Sequence, residues 1–241
     1  MNERIDQFGP NLLLLSLQRA LLLEVFPALR SLTVEWTTST ITTYAYIDGP
    51  ISDDDWNSIS VVDGEVIGDI PYPYEVYVDF KTIRHDAPEP IDDGRVCVFH
   101  RREPNFSQIR ETLVERIRDA AEEGVSYDNP RLKRRVEVLL AFQRALLGEV
   151  FPALRELSAE WSDDEVGFTA YIDGTPLEED VESIRRIRKN LESEFGEHTT
   201  VSSEITRCDE PTLIKNIRVP TTNETQTVYA KRTPSILDPY H

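Results

Sequence analysis

The 241-residue sequence contains two cysteines, one methionine and ten glycines, and this scarcity excludes several kinds of site. Cys97 and Cys208 have no C-x-x-C partners and occupy unrelated positions, so we expect free thiols and not a disulfide framework or a zinc site. No glycine-rich phosphate loop, dinucleotide fingerprint or G-x-S-x-G motif occurs, and the histidines lack metal-ligand spacing. We therefore expect no metal, no cofactor and no catalytic residue.

The sequence also lacks a long apolar run and has few basic residues. The run from Leu12 to Leu23 is interrupted by polar residues and falls short of the roughly 20 residues of a membrane span. The N-terminus has no signal-peptide pattern, so we expect a cytoplasmic protein. With 26 basic and 44 acidic residues the net charge is −18, which disfavours binding to nucleic acid or anionic membranes and favours a basic protein partner. Solubility or salt tolerance explains the charge equally well.

The chain repeats itself. The segment "QRALLLEVFPALR" at 18–30 returns as "QRALLGEVFPALR" at 143–155, and "AYIDG" at 45–49 returns at 170–174. Further along, "RHDAP" from Arg84 corresponds to "RCDEP" from Arg207, and "VFHRR" from Val98 corresponds loosely to "VYAKR" from Val228. A duplicated domain explains this pattern. The predicted division is a first module at 1–104, a helical connector at 105–130 and a second module at 131–241.

Each copy changes its hydrophobic period in the same order. An amphipathic stripe predicts a first helix, two strands follow as a hairpin ending at Asp-Gly, and a second helix precedes two more strands. The spacings of Ser52 with Asp55 and of Thr175 with Glu178 predict capping boxes at the start of the second helices, and Pro176 suits a first helical position.

These elements predict an α+β fold made of two αββαββ modules. The simplest arrangement for each is a four-stranded antiparallel sheet with both helices on one face. The connector carries its own apolar stripe, which predicts a connecting helix that packs across the modules. We expect a monomer with an intramolecular pseudo-two-fold axis, although a dimer is possible. The predicted stripe is Ile109, Leu113, Ile117 and Ala120.

Acidic residues at the second helix of each copy are candidates for a surface that binds a basic partner, with exposed aromatic residues as anchors. Trp56 has no aromatic counterpart in the second copy, where Val181 stands, and we expect it to be exposed. Carboxylates in a first helical turn are also favoured by the helix dipole alone, so their presence does not require a ligand. The candidates are Asp53, Asp54, Asp55, Trp56, Asp63, Glu65, Asp69, Tyr72, Tyr74, Glu178, Glu179 and Asp180.

The pattern "RALLGEVFPALR…SAEW…TAYIDGTPLEED", followed by a long helix and a strand ending in "RCDEP", resembles small bacterial αββαββ proteins, the immunity proteins of polymorphic toxin and contact-dependent inhibition systems. The first copy adds "EVIGDIPYPYEV", "IRHDAPEPI" and "VFHRRE". The resemblance implies a non-enzymatic protein that binds and blocks a cognate toxin. An acidic inhibitor suits a basic toxin, such as a nuclease. The tandem duplication departs from the usual single unit and leaves the stoichiometry open.

Two other functions fit the residues. The halves could form a stand-alone structural or regulatory pseudo-dimer without a toxin partner. The groove between the modules could also serve an enzyme or a small-ligand protein, which would need clustered polar residues in a pocket. His85 and Asp86 could pair for acid–base chemistry, but Cys208 replaces the histidine in the second copy, so a polar strand end explains the pair better.

Overall fold

The computed structural model describes residues 9–70, 77–122, 128–209 and 224–230. The first module contains α1 (Pro10–Ala20), β1 (Leu29–Trp36), β2 (Thr40–Ile47), α2 (Asp53–Asp69), β3 (Tyr77–Arg84) and β4 (Val96–His100). The connecting helix is α3 (Arg110–Glu122). The second module contains α4 (Pro130–Leu146), β5 (Leu154–Trp161), β6 (Glu165–Ile172), α5 (Glu178–Phe195), β7 (Thr200–Arg207) and β8 (Glu224–Ala230). The predicted αββαββ order is confirmed in both copies.

Each module forms a four-stranded sheet, in the orders β3-β2-β1-β4 and β7-β6-β5-β8. The expectation of a fully antiparallel sheet is wrong, because β2 pairs with β3 and β6 with β7 in parallel. The reason lies in the connection: a helix joins each of these pairs, and a strand–helix–strand crossover returns the chain in its original direction. The hairpins β1-β2 and β5-β6 and the last strands are antiparallel, as predicted.

Helix capping follows the prediction in one copy and departs from it in the other. Ser52 caps α2, since its Oγ accepts the Asp55 N–H at 3.2 Å and the Asp55 carboxylate accepts the Ser52 N–H at 3.1 Å. The predicted box of Thr175 with Glu178 is wrong. Helix α5 begins at Glu178, two residues after Pro176, and the Asp180 carboxylate accepts the N–H of Leu177, which takes the cap position.

The two modules meet around a pseudo-two-fold axis. Helices α1 and α4 cross, and the side-chain amide of Gln18 donates to the Leu139 carbonyl while its equivalent, Gln143, donates to the Leu14 carbonyl. The backbone after each helix reaches into the other module. The Leu23 N–H donates to the carbonyl of Ala230 at 2.8 Å.

The equivalent bond in the opposite direction joins the Gly148 N–H to the carbonyl of His100 at 2.9 Å. Leu23 and Gly148 share a left-handed backbone, with φ of 68° and 70°. Each module therefore supplies the last strand that fixes the turn of the other, as in a symmetric dimer whose two subunits have been joined.

The connecting helix is built into this junction. Helix α3 packs against β4 and α1 of the first module and buries Leu113, Ile117 and Ala120 of the predicted stripe, whereas Ile109 precedes the helix. Arg118 of α3 also pairs with Glu194 of the second module at 3.1 Å. One continuous apolar core includes buried residues of both modules and of α3, while Tyr44, Tyr46 and Ile91 form a small separate cluster in the first module. None of the helices in the described ranges is long and apolar enough to cross a membrane. The boundaries 1–104, 105–130 and 131–241 and the cytoplasmic location stay predictions.

Because one core spans both modules, we expect them to unfold together. Scanning calorimetry at neutral pH should give one heat-absorption peak, with a calorimetric enthalpy equal to the van't Hoff enthalpy. Two resolved peaks would show that the modules are stable independently and that the shared core contributes little to their association.

Candidate partner-binding surface

Two of the predicted acidic residues serve the fold. Asp55 and Asp180 are both buried, with 8% and 3% of their surfaces exposed, and their carboxylates cap the starts of α2 and α5. Asp180 also forms an ion pair with Arg102 of the first module, with 2.9 Å between their atoms. These carboxylates have intramolecular partners and are poorly placed to meet another protein.

Asp69 and Glu65 face α1. The Asp69 carboxylate accepts hydrogen bonds from the guanidinium of Arg19 and from the Ser16 hydroxyl, and Glu65 lies 3.6 Å from the same guanidinium. The second copy repeats the pair with Arg144 and Glu194 at 2.9 Å. Because equivalent residues form this ion pair in both modules, the pair links the first helix of each module to the second.

The remaining acidic candidates are on the surface at the first turns of the two helices. Asp53 and Asp54 are exposed on α2, and Glu178 and Glu179 are exposed at the same positions of α5. Glu179 also lies 3.5 Å from the Arg102 guanidinium. This acidity is common to both copies. Two further candidates, Tyr72 and Tyr74, lie outside the described residues.

Trp56, Asp63 and Ile67 form a stripe along α2, in which Trp56 and Ile67 are exposed and Asp63 is half-buried. Their spacing of seven and four residues places them within about 40° of one another around a helix that turns about 100° per residue. Trp56 is 45% exposed, as predicted, and Ile67 is 51% exposed. This stripe adjoins the buried side of the helix formed by Ile59, Val62 and Val66.

Strand β3, the outermost strand of the first sheet, lies beside this stripe. Helix α2 packs against β3, and its opposite side, with Glu65 and Asp69, faces α1, so the stripe runs along the β3 side of the helix. Burial, and secondarily the carboxylate of Asp79 on β3, raises the pKa of Asp63. Within the described part of the chain, Asp63 Oδ1 is buried and accepts no hydrogen bond. Tyr77 begins β3 and is 67% exposed. We name Trp56, Asp63, Ile67, Tyr77 and Asp79 the α2–β3 surface.

The second module provides an internal comparison for this surface. Val181, the counterpart of Trp56, is half-buried, and Thr200 stands where β3 begins with Tyr77. The counterparts of Asp63 and Ile67 are Arg188 and Glu192, which form an exposed ion pair at 3.1 Å. Both copies have the same fold, so packing does not require exposed apolar residues at these positions. The α2–β3 surface is therefore a feature of the first module alone.

A buried polar network that sequence reasoning missed joins the strands of the first module. Arg30 is fully buried, and its guanidinium donates to both carboxylate oxygens of Glu103, with Nε to Oε1 at 2.7 Å, and to the His85 carbonyl. Arg101 donates to the same Glu103 carboxylate and to Asp48. In the sequence, Arg30 ends the repeated "PALR" and Glu103 ends "VFHRRE". The two residues are far apart in the chain, so no local pattern predicts that they pair.

A groove lies between the two modules. A cavity of about 440 Å³ is lined by prolines and aromatic rings of both modules, including Phe26, Phe151 and Tyr229. Of its charged residues, Arg101 and Glu103 belong to the network above, and Arg102 pairs with Asp180. Their hydrogen bonds to other protein groups stabilise the fold, which leaves the groove predominantly apolar.

Two αββαββ modules in one chain, each opening with the same helix and hairpin sequence, define a tandem α+β protein of the bacterial immunity type. The model of the MafI2 immunity protein family matches residues 10–103 and 135–232, and the chain belongs to this family. The match covers both copies, so the resemblance found in the sequence is confirmed. Immunity proteins of this kind are generally non-enzymatic. Comparison with curated proteins gives no match.

Proposed function

We propose that this protein binds and neutralises a cognate toxin, and that the α2–β3 surface of the first module makes the contact. The family supports an immunity-type function. The observation that supports this surface is the difference between the copies: the first module exposes Trp56, Ile67 and Tyr77 where the second has a half-buried valine, a glutamate and a threonine. Exposed aromatic residues are enriched among the anchors of protein interfaces.

The charge of the chain favours a basic toxin. The net charge is −18, and Asp53 and Asp54 are exposed on the first turn of the helix that carries Trp56. Complementary charge accelerates association and is screened by salt. Binding should therefore combine a salt-dependent association rate with an apolar contact at Trp56 and Ile67.

The experiment uses the cognate toxin, which we expect to be encoded by a gene next to that of this protein. Co-expression with the full chain should restore growth to cells that produce the toxin, and the two purified proteins should form a complex. Association should slow at least tenfold between low and high salt. Growth arrest despite abundant soluble chain, together with no complex at low salt, would contradict the proposed function.

Replacing Trp56 tests the surface. We expect Trp56→Ser to raise the Kd for the toxin at least tenfold, because buried tryptophans are frequent binding hot spots with losses of about 2 kcal/mol. The matched control is Leu177→Ser, which removes a 60% exposed apolar side chain at the start of the equivalent helix in the second module and should leave the Kd within twofold. Equal losses in the two variants, measured by titration calorimetry, would place the contact elsewhere.

A further inference from the structure

Among the residues that the structure describes, strand β3 has an edge that no other strand covers. It pairs with β2 over eight consecutive residues without a bulge, and among the described strands it is the last one on its side of the sheet. It contains no proline, and its lysine, Lys81, lies 3.5 Å from the Asp79 carboxylate. Proteins usually protect such an edge with a proline, a bulge or an unpaired lysine, because it can pair with another strand.

The register identifies the backbone groups on that edge. The Tyr77 N–H donates to the Ser39 carbonyl and the His85 N–H to the Ile47 carbonyl, so the odd-numbered residues of β3 face β2. Because N–H and C=O groups of successive strand residues point to opposite sides, the even-numbered residues direct theirs outward. The residues whose backbone N–H and C=O groups point away from β2 are Val78, Phe80, Thr82 and Arg84.

We propose that an extended, basic segment of the toxin adds to this edge as a fifth strand of the first sheet. This inference rests on the proposed function and specifies how the same surface binds. Main-chain hydrogen bonds to β3 would provide affinity for any extended peptide, and side chains would provide the specificity.

The side chains around the edge favour β3 over the equivalent edge strand β7. Val78 and Phe80 pack against the helix-side core, and α2 packs against β3, so the added strand directs alternate side chains towards the stripe of α2. Apolar side chains there contact Trp56 and Ile67. Beside β7 the same positions hold the Arg188–Glu192 ion pair, which offers no apolar contact.

Charge selects a basic segment. Asp63 has a buried carboxylate oxygen that accepts no hydrogen bond from the described residues, and Asp79 lies close enough to raise its pKa. A lysine or arginine on the added strand would bring a donor and a positive charge to the Asp63 carboxylate. An acidic segment would instead bring a second negative charge next to Asp63.

Proline substitution on the outward side tests this binding mode. Thr82→Pro removes one outward N–H and places a ring in the path of the added strand, and it leaves the hydrogen bonds to β2 intact. The Kd for the toxin should rise at least tenfold. Ile205→Pro makes the same change at the equivalent position of β7 and should leave the Kd within twofold. Equal affinities for Thr82→Pro and the unmodified chain would overturn the proposal.

Hydrogen exchange on the unmodified chain gives a second readout that does not depend on how the variants fold. The amides of Val78, Phe80, Thr82 and Arg84 should exchange rapidly in the free protein and slow at least tenfold in the complex. The outward amides of β7, including Ser203 and Ile205, should exchange equally fast in both states. A tight complex without new protection on β3 would reject strand addition and leave the immunity function standing. Absence of any complex would contradict the proposed function itself.

Discussion

We expect Glu103→Gln to lower the free energy of unfolding by about 3 kcal/mol at neutral pH. Glu103 is the carboxylate that compensates Arg30, whose side chain is fully buried. Glutamine keeps the size of the side chain and some hydrogen bonds but leaves the guanidinium without its closest negative charge. Removing one partner of a buried ion pair is costly because the other stays desolvated and uncompensated.

The free energy of unfolding that Glu103→Gln loses should depend on pH. Burial alone would raise the pKa of Glu103, but the hydrogen bonds from Arg30 and Arg101 outweigh it and hold the pKa below its usual value. A lowered carboxyl pKa stabilises the fold above the unfolded value of about 4.3, and this stabilisation is lost as the pH falls through the folded value. The difference between the unmodified chain and Glu103→Gln should therefore shrink below about pH 4.

Denaturant titrations between pH 3 and pH 7 measure both effects. The matched control is Glu192→Gln, which removes the carboxylate of the exposed pair with Arg188 and should cost less than about 1 kcal/mol. If the two variants lose the same free energy, or if the Glu103 loss is constant across this range, the pair does not stabilise the fold as described.

The second large effect is expected at Gly148. A Cβ atom built there would lie 1.9 Å from Cδ1 of Phe106, whose ring packs against His100, and the residue has a left-handed backbone. Gly148→Ala should therefore lower the free energy of unfolding by about 3 kcal/mol. This loss is the sum of two costs, the strain of alanine in a left-handed backbone and the overpacking of its methyl group against the Phe106 ring. Thermal unfolding should shift downward by roughly 10 °C.

The duplicated fold supplies the control. Leu23 has the same backbone conformation and the equivalent cross-module hydrogen bond, but its side chain is 50% exposed. Leu23→Gly should change stability by less than about 1 kcal/mol, since relief of the left-handed backbone offsets the greater freedom of the unfolded chain. A loss in Leu23→Gly as large as that in Gly148→Ala would show that the crowding at Phe106 is not the cause.

The predictions from sequence succeeded where the physics is local. The helix stripes, the Asp-Gly hairpins and the Ser52 cap depend on residues close together in the chain, and all are present. The exposure of Trp56 was also predictable, because its counterpart in the copy is a valine. The cap at Thr175 failed because Asp180 reaches the Leu177 N–H and fixes the start of the helix two residues past Pro176.

By itself, the sequence determined that the protein is a tandem of two αββαββ modules with an acidic surface, since periodicity, internal repetition and charge are properties of the chain. Only the tertiary structure decided that β2 and β3 run parallel, that each module fixes a turn of the other, and that Asp69 and Asp180 pair with Arg19 and Arg102. These outcomes depend on which distant groups meet when one core is buried, and hydrogen bonds between groups 50 or more residues apart leave no periodic signal.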